Sequence, residues 1–344
     1  MRAIIYTAFE GPISLLEVPD PKAEPDGVVV RVEATGLCLS DWHGWMGHDP
    51  DISLPHIPGH ELAGTIVEVG SAVSSWRVGD RVTVPFVAGC GDCEDCIGGN
   101  EQVCLRQFQP GFTGPGSFAE FVALRYADRN LVAVPPSVEM ATGATLGCRF
   151  ATSFRAVVDQ GRIAEGEWVA VYGCGGVGLA ALMIARASGA HVVAIDPDPD
   201  ARAHASSLGA DATIGEVLHD DIVDSVRTAT GGGAHLSIDA VGHPEVMTSS
   251  IASLRPKGRH VQVGLLPAPT TPVPMGLVIG RELEILGSHG MQAHRYPEML
   301  AMIVDGRLAP ERLITRRISL DAVTAALPAM SQPHPPGITV VDLL

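Results

Sequence analysis

The sequence is poor in positive charge. Its 344 residues include 23 lysines and arginines against 39 aspartates and glutamates, so the formal net charge at pH 7 is −16. This acidic balance argues against non-specific nucleic-acid binding and against attraction to an anionic membrane surface. With 46% hydrophobic and 18% charged residues, the chain has ample apolar material for packed cores. Its length predicts about two domains.

Cysteine is also scarce, because seven in the whole chain are too few for a disulfide scaffold. The first residues lack the basic segment, apolar run and small-residue cleavage site of a secretory signal, which predicts a cytoplasmic protein with reduced thiols. Long apolar runs are rare, and the uncharged stretch 168–185 has only the minimum length of a membrane span. Four glycines interrupt this stretch, so it predicts a buried strand, a tight turn and a buried helix, and no membrane association.

Two patterns of secondary structure divide the chain. Before residue 150, short strands are separated by glycine and proline turns, as in a compact barrel-like domain. From about residue 160, strands and helices alternate, which indicates an α/β fold with a doubly wound parallel sheet. The predicted strands are 28–32, 64–69, 80–84, 169–172, 191–195, 236–239, 259–263 and 338–341, and the predicted helices are 177–187 and 200–208.

A glycine-rich motif lies between the strand 169–172 and the helix 177–187. Its residues, Gly173-Cys174-Gly175-Gly176-Val177-Gly178, fit the dinucleotide-binding pattern G-x-G-x-x-G in the required strand–turn–helix context. Asp196 ends the next strand, where a carboxylate binds the adenosine ribose hydroxyls and repels a 2′-phosphate, so we predict NAD. Arg202 would either help to hold the ribose or tolerate a phosphate there.

Four cysteines lie within 15 residues, at Cys90, Cys93, Cys96 and Cys104. Four thiolates complete a tetrahedral zinc shell and leave no position for water, so this spacing predicts a structural zinc site. A redox-active cysteine pair and an iron–sulfur cluster are the alternatives. A second zinc centre is predicted from Cys38, His60 and Cys148, because Cys₂His is a known set that leaves one coordination position open for catalysis.

The sequence resembles the zinc-dependent medium-chain alcohol dehydrogenases nearly end to end. Gly59-His60-Glu61-Leu62-Ala63-Gly64, followed by Gly70 and Val73, matches the zinc signature of that family. Gly79-Asp80-Arg81-Val82 leads into the cysteine lobe as it does there, and Gly147-Cys148 is followed by Thr152. The resemblance implies a Rossmann NAD-binding domain at 150–288. It would be inserted into a GroES-like, β-rich catalytic domain at 1–149 and 289–344 with its zinc lobe at 88–106.

The resemblance also implies roles for individual residues. Cys38, His60 and Cys148 would bind the catalytic zinc, with Glu61 behind the metal and Asp41 on the far nitrogen of the histidine ring. Ser40 would bind the substrate hydroxyl, and His43 would pass the hydroxyl proton through the nicotinamide ribose to solvent. The implied nicotinamide contacts are Thr152, Val263, Gly264, Gly287 and Ser288. Some relatives hold the pyrophosphate with an arginine where this chain has Leu39, and Arg149 would either replace that arginine or form a salt bridge.

The implied activity is the reversible oxidation of primary or secondary alcohols to aldehydes or ketones by hydride transfer to NAD. The implied assembly is a homodimer or a homotetramer with two zinc ions per chain. A polyol dehydrogenase is an alternative, although those enzymes commonly have a carboxylate at the position of Cys148. A non-enzymatic zinc- and NAD-binding protein is a second alternative. The candidate residues for an apolar substrate wall, which could equally be core residues, are Trp42, Trp45, Phe86, Phe108 and Phe112.

Overall fold

The computed structural model describes residues 1–216, 218–268, 270–332 and 335–343. The predicted domain ranges 150–288 and 289–344 therefore include a few positions that lie outside the described residues.

The first part of the chain is rich in antiparallel strands. They are β1 (Arg2–Tyr6), β2 (Ile13–Glu17), β3 (Val28–Leu37), β4 (Glu61–Val69), β5 (Arg81–Thr83), β6 (Phe121–Leu124) and β7 (Val132–Ala133). The long strand β3 is almost entirely buried and pairs antiparallel with both β4 and β6. Valines dominate it, since β-branched side chains pack well on a pleated surface.

Short helices connect these strands and lead out of the sheet. They are α1 (Leu39–Trp45), α2 (Glu94–Ile97), α3 (Ala127–Asn130), α4 (Met140–Thr145) and α5 (Ala151–Phe154), with a 3₁₀ turn at Glu101–Val103. Two π-helical segments, Leu146–Phe150 and Arg155–Gln160, flank α5 and make one continuous helical path. π-Helical turns are rare and often lie at functional sites.

The middle of the chain forms a parallel sheet covered by helices. Its strands are β8 (Trp168–Tyr172), β9 (His191–Ile195), β10 (Ala212–Ile214), β11 (Ala234–Asp239), β12 (Leu254–Gln262) and β13 (Glu284–Gly287). The helices between them are α6 (Gly176–Ala187), α7 (Pro199–Ser207), α8 (His219–Ala229), α9 (Pro244–Ala252) and α10 (Met275–Arg281). The strand order β10-β9-β8-β11-β12-β13 is that of a doubly wound dinucleotide-binding fold, which confirms the predicted fold class.

The chain then returns to the first sheet. The remaining elements are α11 (Tyr296–Val304), β14 (Ile314–Ser319), α12 (Val323–Ala326) and β15 (Ile338–Asp342), with 3₁₀ turns at Ala293–Arg295, Pro310–Leu313 and Pro328–Ser331. Strand β15 pairs antiparallel with β3 and parallel with β14. One hydrophobic core joins the two sheets, and Phe150, Phe154 and Tyr296 are its largest fully buried side chains at the junction.

The uncharged stretch 168–185 has the structure predicted for it. It consists of β8, the glycine turn and most of α6, and nearly all of its residues from Val169 on to Ala185 are buried in the parallel-sheet core or form the turn. No helix in the described part of the chain has the length and apolarity needed to cross a bilayer.

Candidate metal and nucleotide site

Three potential metal ligands converge where the helical path leaves the first sheet. Cys38 precedes α1, His60 precedes β4, and Cys148 lies in the π-helical turn before α5. Together with Glu61, their ligand atoms lie within 4.8 Å of one another. A hydrogen bond from Cys148 holds the pKa of the Cys38 thiol well below its usual value, which favours a thiolate at this point. The set is soft and nitrogen-containing, as zinc prefers.

The His60 ring is oriented for metal binding. Its Nδ1 donates to Oδ1 of Asp41 at 2.8 Å, and the ring is fully buried. Its Nε2 is buried and has no hydrogen-bond partner among the described residues. A buried polar atom without a partner is costly, and a metal ion would satisfy it. Asp41 also accepts from the amide of Gly59 at 3.2 Å and from that of Cys38 at 3.0 Å, so one carboxylate ties the ligand segments together.

Glu61 is held by a buried ion pair. Its Oε1 accepts from the backbone amide of Arg149 at 3.0 Å and from the Nε of the same residue at 2.9 Å, while its Oε2 pairs with Nη2. Strand β3 contributes Gly36 at this point, where a Cβ would overlap the carboxylate and come within 2.9 Å of the guanidinium. Arg149 therefore forms the salt bridge that was one of its two predicted alternatives.

The first helix carries Ser40 and His43 at the edge of the ligand cluster. The Cys38 sulfur lies 3.8 Å from the Ser40 hydroxyl oxygen, and His43 is half-buried in the last turn of α1. Two of the predicted wall residues, Phe86 and Phe112, lie against the His60 ring at centroid distances of 6.1 and 5.1 Å. The other wall candidates contact other residues. Trp42 packs against His43, Trp45 donates to the Gly11 carbonyl, and Phe108 packs against the first sheet.

The glycine-rich turn lies between β8 and α6, at the carboxyl edge of the parallel sheet. Gly173 has a positive φ of 89°, and a Cβ on Gly178 would overlap the Gly173 carbonyl oxygen, so both positions require glycine. Among the described residues, no atom lies within 4 Å of a Cβ placed on Gly175, and no side chain caps α6 there. The first amides of this 12-residue helix therefore have no side-chain partner in the described part of the chain, and helix amino termini of this kind bind phosphate groups.

Asp196 follows β9 and lies beside this turn. Its Oδ2 accepts from the Cys174 amide at 2.7 Å, and its Oδ1 accepts from the Asp198 amide at 2.9 Å. Arg202 donates to the carbonyl oxygens of Asp196 and Pro197 at 2.7 and 2.8 Å, so the cation is engaged by the backbone behind the loop. The Asp196 carboxylate therefore lies directly beside the glycine-rich turn.

The predicted nicotinamide contacts follow the other strands. Val263, Gly264, Gly287 and Ser288 line one cavity of about 480 Å³, and the buried hydroxyl of Thr152 has no hydrogen-bond partner within the described ranges. Sequence reasoning missed Gln262 and Asp239, which shape this cavity wall. Gln262 donates to the buried Asp239 carboxylate at 2.9 Å and to the Gly264 carbonyl at 2.7 Å, which fixes the loop after β12. Their only sequence signal is a polar residue at the end of a buried strand.

The four cysteines of the lobe form a second cluster. The ligand atoms of Cys90, Cys93, Cys96 and Cys104 lie within 4.8 Å of one another, and all seven cysteines of the chain are free thiols. Cys174 belongs to neither cluster and is buried in the glycine turn. A four-thiol cluster fits the tetrahedral shell of a structural zinc ion.

Two family profiles match the chain. The profile described as "Alcohol dehydrogenase GroES-like domain" matches residues 24–136, and the one described as "Zinc-binding dehydrogenase" matches residues 176–305. An alcohol dehydrogenase of Geobacillus stearothermophilus is 34% identical over 310 residues, which cover 90% of each chain.

Solved structures agree with these matches. An alcohol dehydrogenase of Thermus sp. ATN1 superposes with a TM-score of 0.92 at 29% identity over 100% of both chains. A zinc-binding dehydrogenase of Sinorhizobium meliloti 1021 bound to NADP superposes with a TM-score of 0.86 at 27% identity, covering 99% of this chain and 98% of that one.

Proposed function

The chain belongs to the zinc-dependent medium-chain alcohol dehydrogenase family, and from this premise we propose which residues perform the reaction. As a member it is an oxidoreductase that interconverts small alcohols and carbonyl compounds with a nicotinamide dinucleotide and zinc. We assign the catalytic zinc to Cys38, His60 and Cys148. The unpartnered Nε2 of His60 beside two thiols carries this assignment.

Zinc bound by these residues would act as a Lewis acid that lowers the pKa of an alcohol hydroxyl. Ser40 holds the substrate hydroxyl at the start of α1 and His43 receives its proton in the last turn of that helix. Asp41 keeps the His60 tautomer with Nε2 free. The glycine turn would hold the pyrophosphate, and the Val263–Gly264 and Gly287–Ser288 segments would hold the carboxamide, which orients the cofactor for hydride transfer.

The function is tested with NAD and a panel of alcohols, while the absorbance of the reduced nicotinamide is monitored. We expect turnover with a primary or secondary alcohol and with the matching aldehyde or ketone in reverse. Phe86 and Phe112 around the His60 ring favour an apolar alcohol over a polyol. A higher kcat/KM for sorbitol than for simple alcohols would favour the polyol alternative, and zinc-replete protein inactive in both directions would contradict the proposal.

We propose that Asp196 selects NAD over NADP. The Asp196→Gly variant should lose this preference, because hydrogen bonds to a charged carboxylate contribute about 1.5–3 kcal/mol each. We expect the ratio of kcat/KM for NAD to that for NADP to fall about 10- to 100-fold, as that energy implies. Asp200→Asn, which removes one exposed negative charge on α7, is the control and should keep the ratio. Unchanged selectivity in Asp196→Gly would reject this assignment.

We propose two zinc ions per chain, the second one in the cysteine lobe. Wild-type protein should contain two zinc equivalents by elemental analysis. Cys96→Ser should retain one and melt at a lower temperature, because a closed zinc site contributes folding free energy. Cys174→Ser removes a buried thiol outside both clusters and should keep two equivalents. Two equivalents in Cys96→Ser would show that the lobe is not a zinc site.

We propose a homo-oligomer, either a dimer or a tetramer. Strand β13 is an edge strand of the parallel sheet, and Leu265, Ile279 and Ile285 expose 74%, 73% and 37% of their surface near it. Exposed apolar side chains at an unpaired strand edge favour association with a second copy.

The free thiols of both clusters suit a reducing compartment, so the cytoplasm remains our prediction for the location of the protein.

A further inference from the structure

Two imidazole rings meet at the end of α1. His43 lies in the last turn of the helix, and His48 follows in the loop. The loop folds back because the amide of Gly47 donates to the Gly44 carbonyl and that of His48 donates to the His43 carbonyl. Gly47 has a φ of +75°, which suits glycine and gives the turn its tightness. The backbone thus brings His48 back over the side chain of His43.

The two rings share a hydrogen bond. Nδ1 of His43 lies 2.9 Å from Nδ1 of His48, and the ring centroids are 5.2 Å apart. Trp42 packs edge-on against both rings, with centroid distances of 5.0 and 5.9 Å. Since one nitrogen must donate and the other must accept, at least one of the two imidazoles is neutral.

The two rings differ in their exposure to solvent. His43 is half-buried whereas His48 is exposed. Among the described residues, neither ring makes a hydrogen bond through Nε2, so both Nε2 atoms are left for other partners. Burial lowers the pKa of His43, and His48 lowers it further, while the Cys38 thiolate opposes both effects. His48 and Cys38 are the titratable groups that act on His43, and the net result is a lowered pKa, which favours the neutral ring near neutral pH.

We propose that His48 is the outer member of a two-histidine relay that carries the alcohol proton from His43 to water. This inference rests on the proposed function, in which His43 receives that proton. A proton arrives at Nε2 of His43, the Nδ1 proton of His43 passes to Nδ1 of His48, and the Nε2 proton of His48 leaves to water. One proton enters and one leaves, and both rings end in the other neutral tautomer. His48 acts through His43 and is a positioning and relay residue.

Kinetics of three variants test the relay. At about pH 6.5, in a buffer that accepts protons poorly, His48→Ala should lower kcat for alcohol oxidation about tenfold. This loss is smaller than the loss expected when a directly acting general base is removed. The effect should vanish at high pH or with added imidazole buffer, and the KM for alcohol should stay unchanged. His48→Gln keeps a hydrogen-bonding side chain but cannot pass a proton, so it should be as slow as His48→Ala.

His191→Ala is the matched control, since it removes an exposed imidazole at the amino end of β9. This end of the parallel strands is opposite the end that carries the glycine turn. It should behave as wild type. Full activity in His48→Gln would mean that His48 only holds His43 in place, and an unchanged pH profile in His48→Ala would mean that water alone receives the proton. Either result would overturn the relay.

Histidine NMR of the cofactor-free protein gives a readout that does not depend on activity. In wild type the pKa of His43 should depend on its contact with His48, and His48→Ala should raise that pKa because the neighbouring ring that lowers it is removed. An unchanged titration of His43 would refute proton sharing. If wild-type protein oxidises no alcohol, the proposed function fails, whereas the titration of His43 remains a separate test of the histidine pair.

Discussion

Replacing His60 with alanine should abolish alcohol oxidation while the protein stays folded. The variant removes the only nitrogen among the assigned catalytic ligands, and two thiols alone cannot hold zinc in a tetrahedral site. Losing an outer partner of a metal ligand costs about 10- to 100-fold, so the loss of the ligand itself should exceed about 100-fold in kcat/KM. Cys38→Ala should behave in the same way.

Zinc content and secondary structure separate this effect from unfolding. His60→Ala should lose one zinc equivalent, keep the other in the cysteine lobe and retain the wild-type circular dichroism spectrum. Cys174→Ala is the control for the zinc content of Cys38→Ala, because both thiols are buried but only Cys38 lies in a ligand cluster. Activity within tenfold of wild type in His60→Ala would place the catalytic metal elsewhere.

Local patterns in the sequence predicted most of the parallel sheet. The predicted strand 191–195 coincides with β9, and the helix 177–187 differs from α6 by one residue at its start. Alternating strands and helices, with a glycine turn between β8 and α6, are short-range signals because each depends on neighbouring residues only. The convergence of Cys38, His60 and Cys148 has no such local signal, and residue chemistry and family resemblance together predicted that set.

Long-range and irregular features could not be predicted in this way. The Glu61–Arg149 pair joins residues 88 positions apart, and the sequence left the salt bridge as one of two alternatives. The π-helical turn that carries Cys148 produces no periodic pattern in the sequence from which it could be predicted. His48 looks like an ordinary polar loop residue, and only the turn at Gly47 brings its ring onto His43. Each of these contacts depends on how separate segments of backbone meet.

The Glu61–Arg149 ion pair should dominate the stability of the cleft. The side chains are 0% and 8% exposed, and the guanidinium contacts both carboxylate oxygens. Removing one partner of a buried pair leaves an uncompensated buried charge and costs about 3–5 kcal/mol, whereas replacing both with apolar residues is often neutral. Arg149→Met should therefore lower the urea midpoint strongly, and Glu61→Leu with Arg149→Met should recover most of the loss.

The same substitution at a surface pair provides the control. Arg317 pairs with Glu139, and the two side chains are 44% and 58% exposed, so Arg317→Met should change the unfolding free energy by less than about 1 kcal/mol. A double-mutant cycle on Glu61 and Arg149 measures their coupling directly. If Arg149→Met proves as mild as Arg317→Met, the pair does not stabilise the fold. Gly36 would then provide room for a contact whose purpose is to hold the carboxylate of Glu61 in place behind the metal ligands.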